Sequence, residues 1–260
     1  MNRPIGIFDS GIGGLTVVKE IIKTLPYEDI IYFGDTARVP YGSKSRETII
    51  RFSREIVEFL LERGVKVIVV ACNTASSNAL PELESLYNGT PFVGVIKPGV
   101  KRALSLARSV IGVIGTRATI ESGIYSTALG DEFKIVQKPC SLFVPLVEEG
   151  LIETPFTMEI AKFYLNPLKK EHVDTLILGC THYPMLKTVI HEVMGEGVDL
   201  VDSAVEVARF VGGLLDKGGT RNGRRIPDYS FYFSDMPGNL SEIVERFLGR
   251  SVELKNVYLG

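Results

Sequence analysis

Short apolar runs alternate with amphipathic stretches along almost the whole chain. Runs rich in β-branched residues and bounded by glycine or polar residues predict strands at 4–8, 29–33, 65–71, 91–95, 110–114, 133–136, 174–179, 198–201, 230–233 and 252–256. Between them, apolar residues recur at three- and four-residue spacing. This predicts helices at 13–24, 45–63, 75–87, 98–107, 118–128, 141–149, 155–165, 184–194, 202–216 and 239–248. The clearest is 45–63, where Ile49, Ile50, Phe52, Ile56, Val57, Phe59 and Leu60 share a face; Ser43 or Ser45 is its cap and Glu47 lies in its first turn. Near-continuous apolar strands alternating with helices are the pattern of parallel sheets covered on both faces, so the expected class is α/β.

The pattern also repeats within the chain. Ile5-Gly6-Ile7-Phe8-Asp9-Ser10 reads like Ile111-Gly112-Val113-Ile114-Gly115-Thr116, at an offset of 111 − 5 = 106. Val67-Ile68-Val69-Val70-Ala71 leads into Cys72-Asn73-Thr74, and Thr175-Leu176-Ile177-Leu178-Gly179 into Cys180-Thr181-His182, at an offset of 180 − 72 = 108. Two signals recur in the same order at nearly the same separation. The expectation is two similar doubly wound parallel-sheet domains related by pseudo-two-fold symmetry, with the active site between them. The break is placed at Lys97-Pro98-Gly99, and the last strands are expected to return to the first unit. That gives one domain of 1–97 plus 208–260 and another of 98–207. The alternative is that βα units resemble one another without being repeats.

Composition narrows the function classes. With 260 residues and 45% hydrophobic content, the chain has ample material for a packed core. A net charge of −2 gives no footing for nucleic acid or an anionic membrane surface. No apolar run reaches the roughly 18–20 residues of a membrane helix. The N-terminus enters a strand directly, without a basic stretch and apolar signal segment, so a cytoplasmic location is expected. Three cysteines cannot pair evenly and are read as reduced thiols.

Ligands in open α/β sheets bind at the carboxyl ends of strands. The residues there are Asp9-Ser10, Gly34-Asp35, Cys72-Asn73-Thr74, Gly115-Thr116 and Cys180-Thr181-His182: acids, hydroxyls, thiols and an imidazole. Asp9-Ser10-Gly11-Ile12-Gly13-Gly14 turns a strand into a helix. It lacks the dinucleotide G-x-G-x-x-G spacing and a Walker lysine, so a small carboxylate fits better than a pyrophosphate; a tight turn with a capping Asp is the plainer reading. Buried packing is the default for free cysteine, yet Cys72 and Cys180 are each followed by polar groups. Cys72 is expected at a helix N-terminus, which favours a thiolate. Cys140 lies in an apolar stretch and is read as packing. No C-x-x-C occurs, and only Cys180 and His182 make a close ligand pair, so no metal is expected. Of the three histidines only His182 lies beside a thiol, with a helix cap as its alternative role; Glu148 or Glu149 is placed to orient it, though both also fit a solvated helix end. Arg38-Val39-Pro40-Tyr41-Gly42-Ser43 is a loop that either closes over a small ligand or is a surface turn.

Taken together, Phe8-Asp9-Ser10-Gly11-Ile12-Gly13-Gly14-Leu15-Thr16-Val17, Pro40-Tyr41-Gly42, Ala71-Cys72-Asn73-Thr74-Ala75, Ile114-Gly115-Thr116-x-Ala118-Thr119 and Gly179-Cys180-Thr181-His182-Tyr183-Pro184 resemble the cofactor-independent aspartate/glutamate racemases, glutamate racemase in particular. The resemblance spans nearly the whole chain, without a departure at a motif position. It implies interconversion of L- and D-glutamate for peptidoglycan synthesis, by two-base chemistry at the α-carbon and without a cofactor. It implies that Cys72 serves the D-enantiomer with Asp9 assisting, and Cys180 the L-enantiomer with His182 assisting. By the same resemblance Glu149, rather than Glu148, supports the histidine. Ser10, Pro40, Tyr41, Gly42, Asn73, Thr74, Thr116, Thr119 and Thr181 match substrate-holding positions, with Asp35 a looser member of the set. Family members are often homodimers, so a homodimer is the expected assembly. The rival readings are an aspartate or other amino-acid racemase, a hydrolase or decarboxylase using Cys72 alone, and a carboxylate-binding module without catalysis.

Overall fold

The computed structural model describes residues 3–223 and 225–259. Its strands are β1 (Ile5–Asp9), β2 (Ile30–Gly34), β3 (Val67–Val70), β4 (Phe92–Gly94), β5 (Val110–Gly115), β6 (Lys134–Pro139), β7 (Thr175–Gly179), β8 (Asp199–Asp202), β9 (Tyr229–Phe233) and β10 (Leu254–Asn256). The helices between them are α1 (Leu15–Thr24), α2 (Arg46–Glu62), α3 (Asn73–Asn78), α4 (Leu80–Leu86), α5 (Ile96–Leu106), α6 (Arg117–Glu121), α7 (Ile124–Leu129), α8 (Phe143–Glu148), α9 (Pro155–Lys170), α10 (Lys187–Met194), α11 (Ser203–Lys217) and α12 (Leu240–Leu248).

The strands form two parallel sheets. One runs β10-β9-β2-β1-β3-β4 and the other β6-β5-β7-β8. Reading outward from its first strand, each contains the same order: β2-β1-β3-β4 in one, β6-β5-β7-β8 in the other. β1 and β5 therefore hold equivalent central places, as do β3 and β7. Cys72 leaves β3 and Cys180 leaves β7, so the repeat read from the sequence puts the two thiols at matching strand ends. The last strands, β9 and β10, extend the first sheet beyond β2.

β1, β3 and β7 are buried along their full length, which is why they read as unbroken apolar runs. One hydrophobic core runs through both sheets, with Ile21 of α1, Val100 and Ala103 of α5, and Val207 and Val211 of α11 all within it. α11 packs on α1 and α5. A second core lies under α2, whose Ser45 caps it by accepting from the Thr48 amide at 3.3 Å.

Some boundaries differ from the sequence expectation. The expected 75–87 helix breaks at Ala79, because Pro81 has no N–H to continue the ladder from α3. The 118–128 helix breaks at Gly123, which has φ +67°. α9 continues through Pro167 to Lys170: burial of Leu165 and Leu168 offsets the roughly 3 kcal/mol cost of an internal proline. Lys97-Pro98-Gly99, where the sequence places the change of unit, is helical. It lies in the first turn of α5, where a proline forfeits no intrahelical bond. The 207/208 boundary likewise falls inside α11, so both crossings between the sheets are helical. No helix among the described residues is long and apolar enough to cross a membrane.

Candidate active site

The carboxyl ends of β1 and β3 face those of β5 and β7 across a cavity of about 430 Å³. Ser10, Pro40, Tyr41, Gly42, Cys72, Asn73 and Thr74 line it from the first unit, and Thr116, Thr181, Cys180 and His182 from the second. Most of the residues singled out in the sequence thus converge on one space.

Cys72 ends its strand and caps α3. The Ala75 amide points at its sulfur at 3.4 Å, and Ser10 Oγ lies 3.4 Å away. Burial pushes this thiol up to about 12, and the Asp9 carboxylate adds to the effect against the pull of the hydrogen bonds. From its ordinary 9.0, that is roughly 4 kcal/mol against a bare thiolate. Asp9 lies behind the cavity surface and is fully buried. Its Oδ2 accepts from the Gly11 amide at 3.2 Å, while Oδ1 has no partner among the described residues. Burial raises its pKa above the usual carboxylate value, although His182 pulls the other way. Cys72 and Asp9 therefore compete for a single negative charge.

The other thiol has different company. Cys180 Sγ lies 3.9 Å from His182 Nδ1, and His182 Nε2 lies 2.9 Å from Glu148 Oε1. Burial alone would keep this imidazole neutral; hydrogen bonds and charge from Cys180 and Glu148 outweigh it and lift the ring to about 10. The acid on the histidine is Glu148, which corrects the expectation of Glu149. One residue along a helix turns a side chain by about 100°, so Glu149, at the end of α8, points out and is exposed.

The hydroxyl set bridges the two units. Thr74 Oγ1 lies 2.9 Å from Thr116 Oγ1, which lies 2.9 Å from Thr119 Oγ1. Thr119 is fully buried behind the cavity surface, where it holds the other two. Asn73 lines the cavity while its Oδ1 accepts from the Tyr125 hydroxyl at 2.8 Å. Asp35 does not line the cavity. It is buried and accepts from Arg38 Nε, the Tyr41 hydroxyl and Ser234 Oγ, so it anchors the loop that carries Pro40 and Gly42. Tyr41 turns its phenol into that anchor.

The glycines after β1 have another use than the one expected. Gly11 lines the cavity, but a β-carbon on Gly13 would strike the Thr181 and His182 side chains, and one on Gly14 would strike Asp9. They let the first turn of α1 press against the opposite unit, where Thr16 Oγ1 donates to the Thr181 carbonyl at 3.0 Å. Arg117, Ser141, Val144 and Pro145 also line the cavity and were not picked out from the sequence. Arg117 adjoins Thr116 in a motif and was within reach; Val144 and Pro145 look like any apolar helix face. No cluster of metal-ligating side chains occurs among the described residues.

Residues 5–211 match the Asp/Glu/Hydantoin racemase family. The chain belongs to that family. Within it, the chain is 52% identical to a glutamate racemase of Geobacter metallireducens over 253 residues, covering 95% of this chain and 93% of the relative. It is 48% identical to that of Aquifex aeolicus over 255 residues, 96% of each. Among solved racemases, glutamate racemase from Francisella tularensis in complex with D-glutamate superposes with a TM-score of 0.94 at 40% identity, over 99% of this chain and 98% of that one. A Picrophilus torridus aspartate racemase shares the fold at 19% identity, with a TM-score of 0.59 over 85% of this chain and 96% of that one.

Proposed function

We propose that this racemase interconverts L- and D-glutamate by two-base chemistry, and so supplies D-glutamate for peptidoglycan. The observation that carries the reading is one cavity with a thiol from each unit, each thiol having its own acid–base neighbour.

Cys180, with its proton held by the His182–Glu148 pair, takes the α-proton of L-glutamate. Cys72 donates a proton to the opposite face. For D-glutamate the roles reverse, with Asp9 assisting Cys72. An α-proton is a poor acid, so the carbanionic state depends on fixed donors in a dry pocket. The Thr74 and Thr116 hydroxyls and the backbone N–H groups around Ser10, Asn73 and Thr181 are suited to the two carboxylates. The substrate's α-ammonium brings positive charge to a site where Asp9 and Cys72 otherwise compete for one negative charge, which favours the thiolate when substrate is bound. None of these steps calls for a cofactor.

The proposal includes a cytoplasmic homodimer, tested by sedimentation, and a division into 1–97 plus 208–260 and 98–207. The deciding experiment is turnover of L-glutamate, with L-aspartate in parallel, in deuterium oxide without added cofactor. Inverted product carrying α-deuterium from glutamate is expected. Turnover of aspartate alone, or inversion without deuterium, would end the reading.

A further inference from the structure

α12 comes from the end of the chain, after β9 of the first sheet, yet two of its residues reach the acid–base pair of the second unit. Arg246 Nη1 donates to the carbonyls of Glu148 at 3.0 Å and Val147 at 3.4 Å. These oxygens sit at the C-terminal end of α8, where carbonyls lack intrahelical donors and a cation is favoured. α8 has only six residues and cannot fix its own end. Arg246 Nη2 is itself held by Glu242 Oε1 at 3.1 Å, one turn earlier on α12. The chain leaves room for the guanidinium. The residue beneath it is Gly150, at φ +73°, where a β-carbon would lie 2.9 Å from Arg246 Cζ. The next residue, Phe247, is fully buried and stands edge-on to His182, with ring centroids 5.6 Å apart at 83°. Consecutive residues of one helix thus hold the backbone of Glu148 and the ring of His182.

We propose that Arg246 is a positioning residue of the reaction: by tying the end of α8 to α12 it keeps Glu148 Oε1 on His182 Nε2, and so keeps the Cys180 half of the site aligned for proton transfer. This rests on the reading above that Cys180 and His182 exchange a proton with glutamate. Arg246 touches neither thiol nor cavity; it acts through Glu148.

A double-mutant cycle tests it, using Arg246→Met, Arg246→Lys, Glu148→Ala and the Arg246→Met/Glu148→Ala pair in the full chain. Arg246→Met is expected to lower kcat about tenfold with KM nearly unchanged, and Arg246→Lys, which keeps the cation, to recover most of that loss. In the Glu148→Ala background Arg246→Met has nothing left to position, and is expected to cost less than about twofold. An equal loss in both backgrounds would overturn the proposal, as would full activity in folded Arg246→Met. If Arg246→Met does not fold, the same cycle with Arg246→Lys decides by the same criterion, with a loss of about threefold expected in the wild-type background alone. Wild-type turnover in deuterium oxide tests the underlying reading separately: an inactive wild type removes that reading, whereas an active wild type with an additive cycle removes only the role of Arg246.

Discussion

Gly13 and His182 are so close that a β-carbon on Gly13 would lie 2.5 Å from His182 Nδ1. That nitrogen is the one facing Cys180. Gly13→Ala is therefore expected to push the imidazole off its thiol while leaving the strands intact. A misplacement of about 1 Å can cost about 100-fold in rate, so kcat is expected to fall by that order. Steady-state racemisation measures it, and an unchanged kcat would show that the ring moves freely.

The two thiols are expected to be individually indispensable. Cys72→Ala and Cys180→Ala each leave one face of the α-carbon without a proton carrier, so inverted product should vanish in both. A single-cysteine enzyme would tolerate one of the two changes. The enantiomers of glutamate have equal free energies, so any residual kcat/KM must be the same in both directions; an imbalance would mark an assay fault rather than a mechanism.

Asp9 gives a stability prediction with a definite sign. Its folded pKa is raised, so the fold favours the protonated carboxyl; that contribution is complete below the ordinary 3.8 and is lost as pH rises through the folded value. Asp9→Asn removes the penalty for the buried charge. The variant is expected to melt a few degrees above the wild type at pH 8, with the gap closing towards pH 4, while racemisation drops. A wild type that melts higher at pH 8 would contradict the burial argument.

His182 behaves in the opposite region of pH. Its folded pKa is lifted to about 10 from 6.5, so its contribution to stability is complete below 6.5 and disappears as pH rises through 10. The melting-temperature advantage of wild type over His182→Asn is expected to shrink steadily across that window. In Glu148→Ala, which lacks one of the two partners, the advantage below pH 6.5 should be smaller and the decline should end at lower pH.

Tyr41→Phe tests the loop anchor. It removes one donor from the buried Asp35 carboxylate, at a cost of about 1–3 kcal/mol. Because the loop it loosens carries Pro40 and Gly42 to the cavity, KM for glutamate is expected to rise more than kcat falls. A reversed pattern would place the phenol's role in the chemical step.

Much of this arrangement was legible in the sequence, for a physical reason. Strands buried on both faces cannot hide their apolar runs, and a polar tripeptide such as Cys72-Asn73-Thr74 stands out where such a run ends. β1, β3, β5 and β7, buried throughout, were visible for that reason, as was the convergence of Ser10, Cys72, Thr116, Cys180 and His182. What the sequence hid depends on helix phase and on contacts across the chain. Glu148 and Glu149 are identical neighbours until the turn of α8 is fixed. Gly13 resembled a ligand-binding glycine until the opposite unit came into view. Val144 and Pro145 line the cavity with side chains that elsewhere would simply fill a core.

The shared strand order of the two sheets bears on how a chiral catalyst treats both hands of a substrate. A chain of L-residues cannot build its own mirror image, so it cannot offer a reflected site for the reflected molecule. A half-turn serves instead: it exchanges the upper and lower faces of a planar carbon while leaving the handedness of the protein untouched. With β3 and β7 at equivalent places, the fold needs only this rotation to put a sulfur above and a sulfur below. Access to both faces of the carbon then follows from duplicated topology, and the unlike neighbours of the two sulfurs set only how each hand divides an equal kcat/KM between kcat and KM.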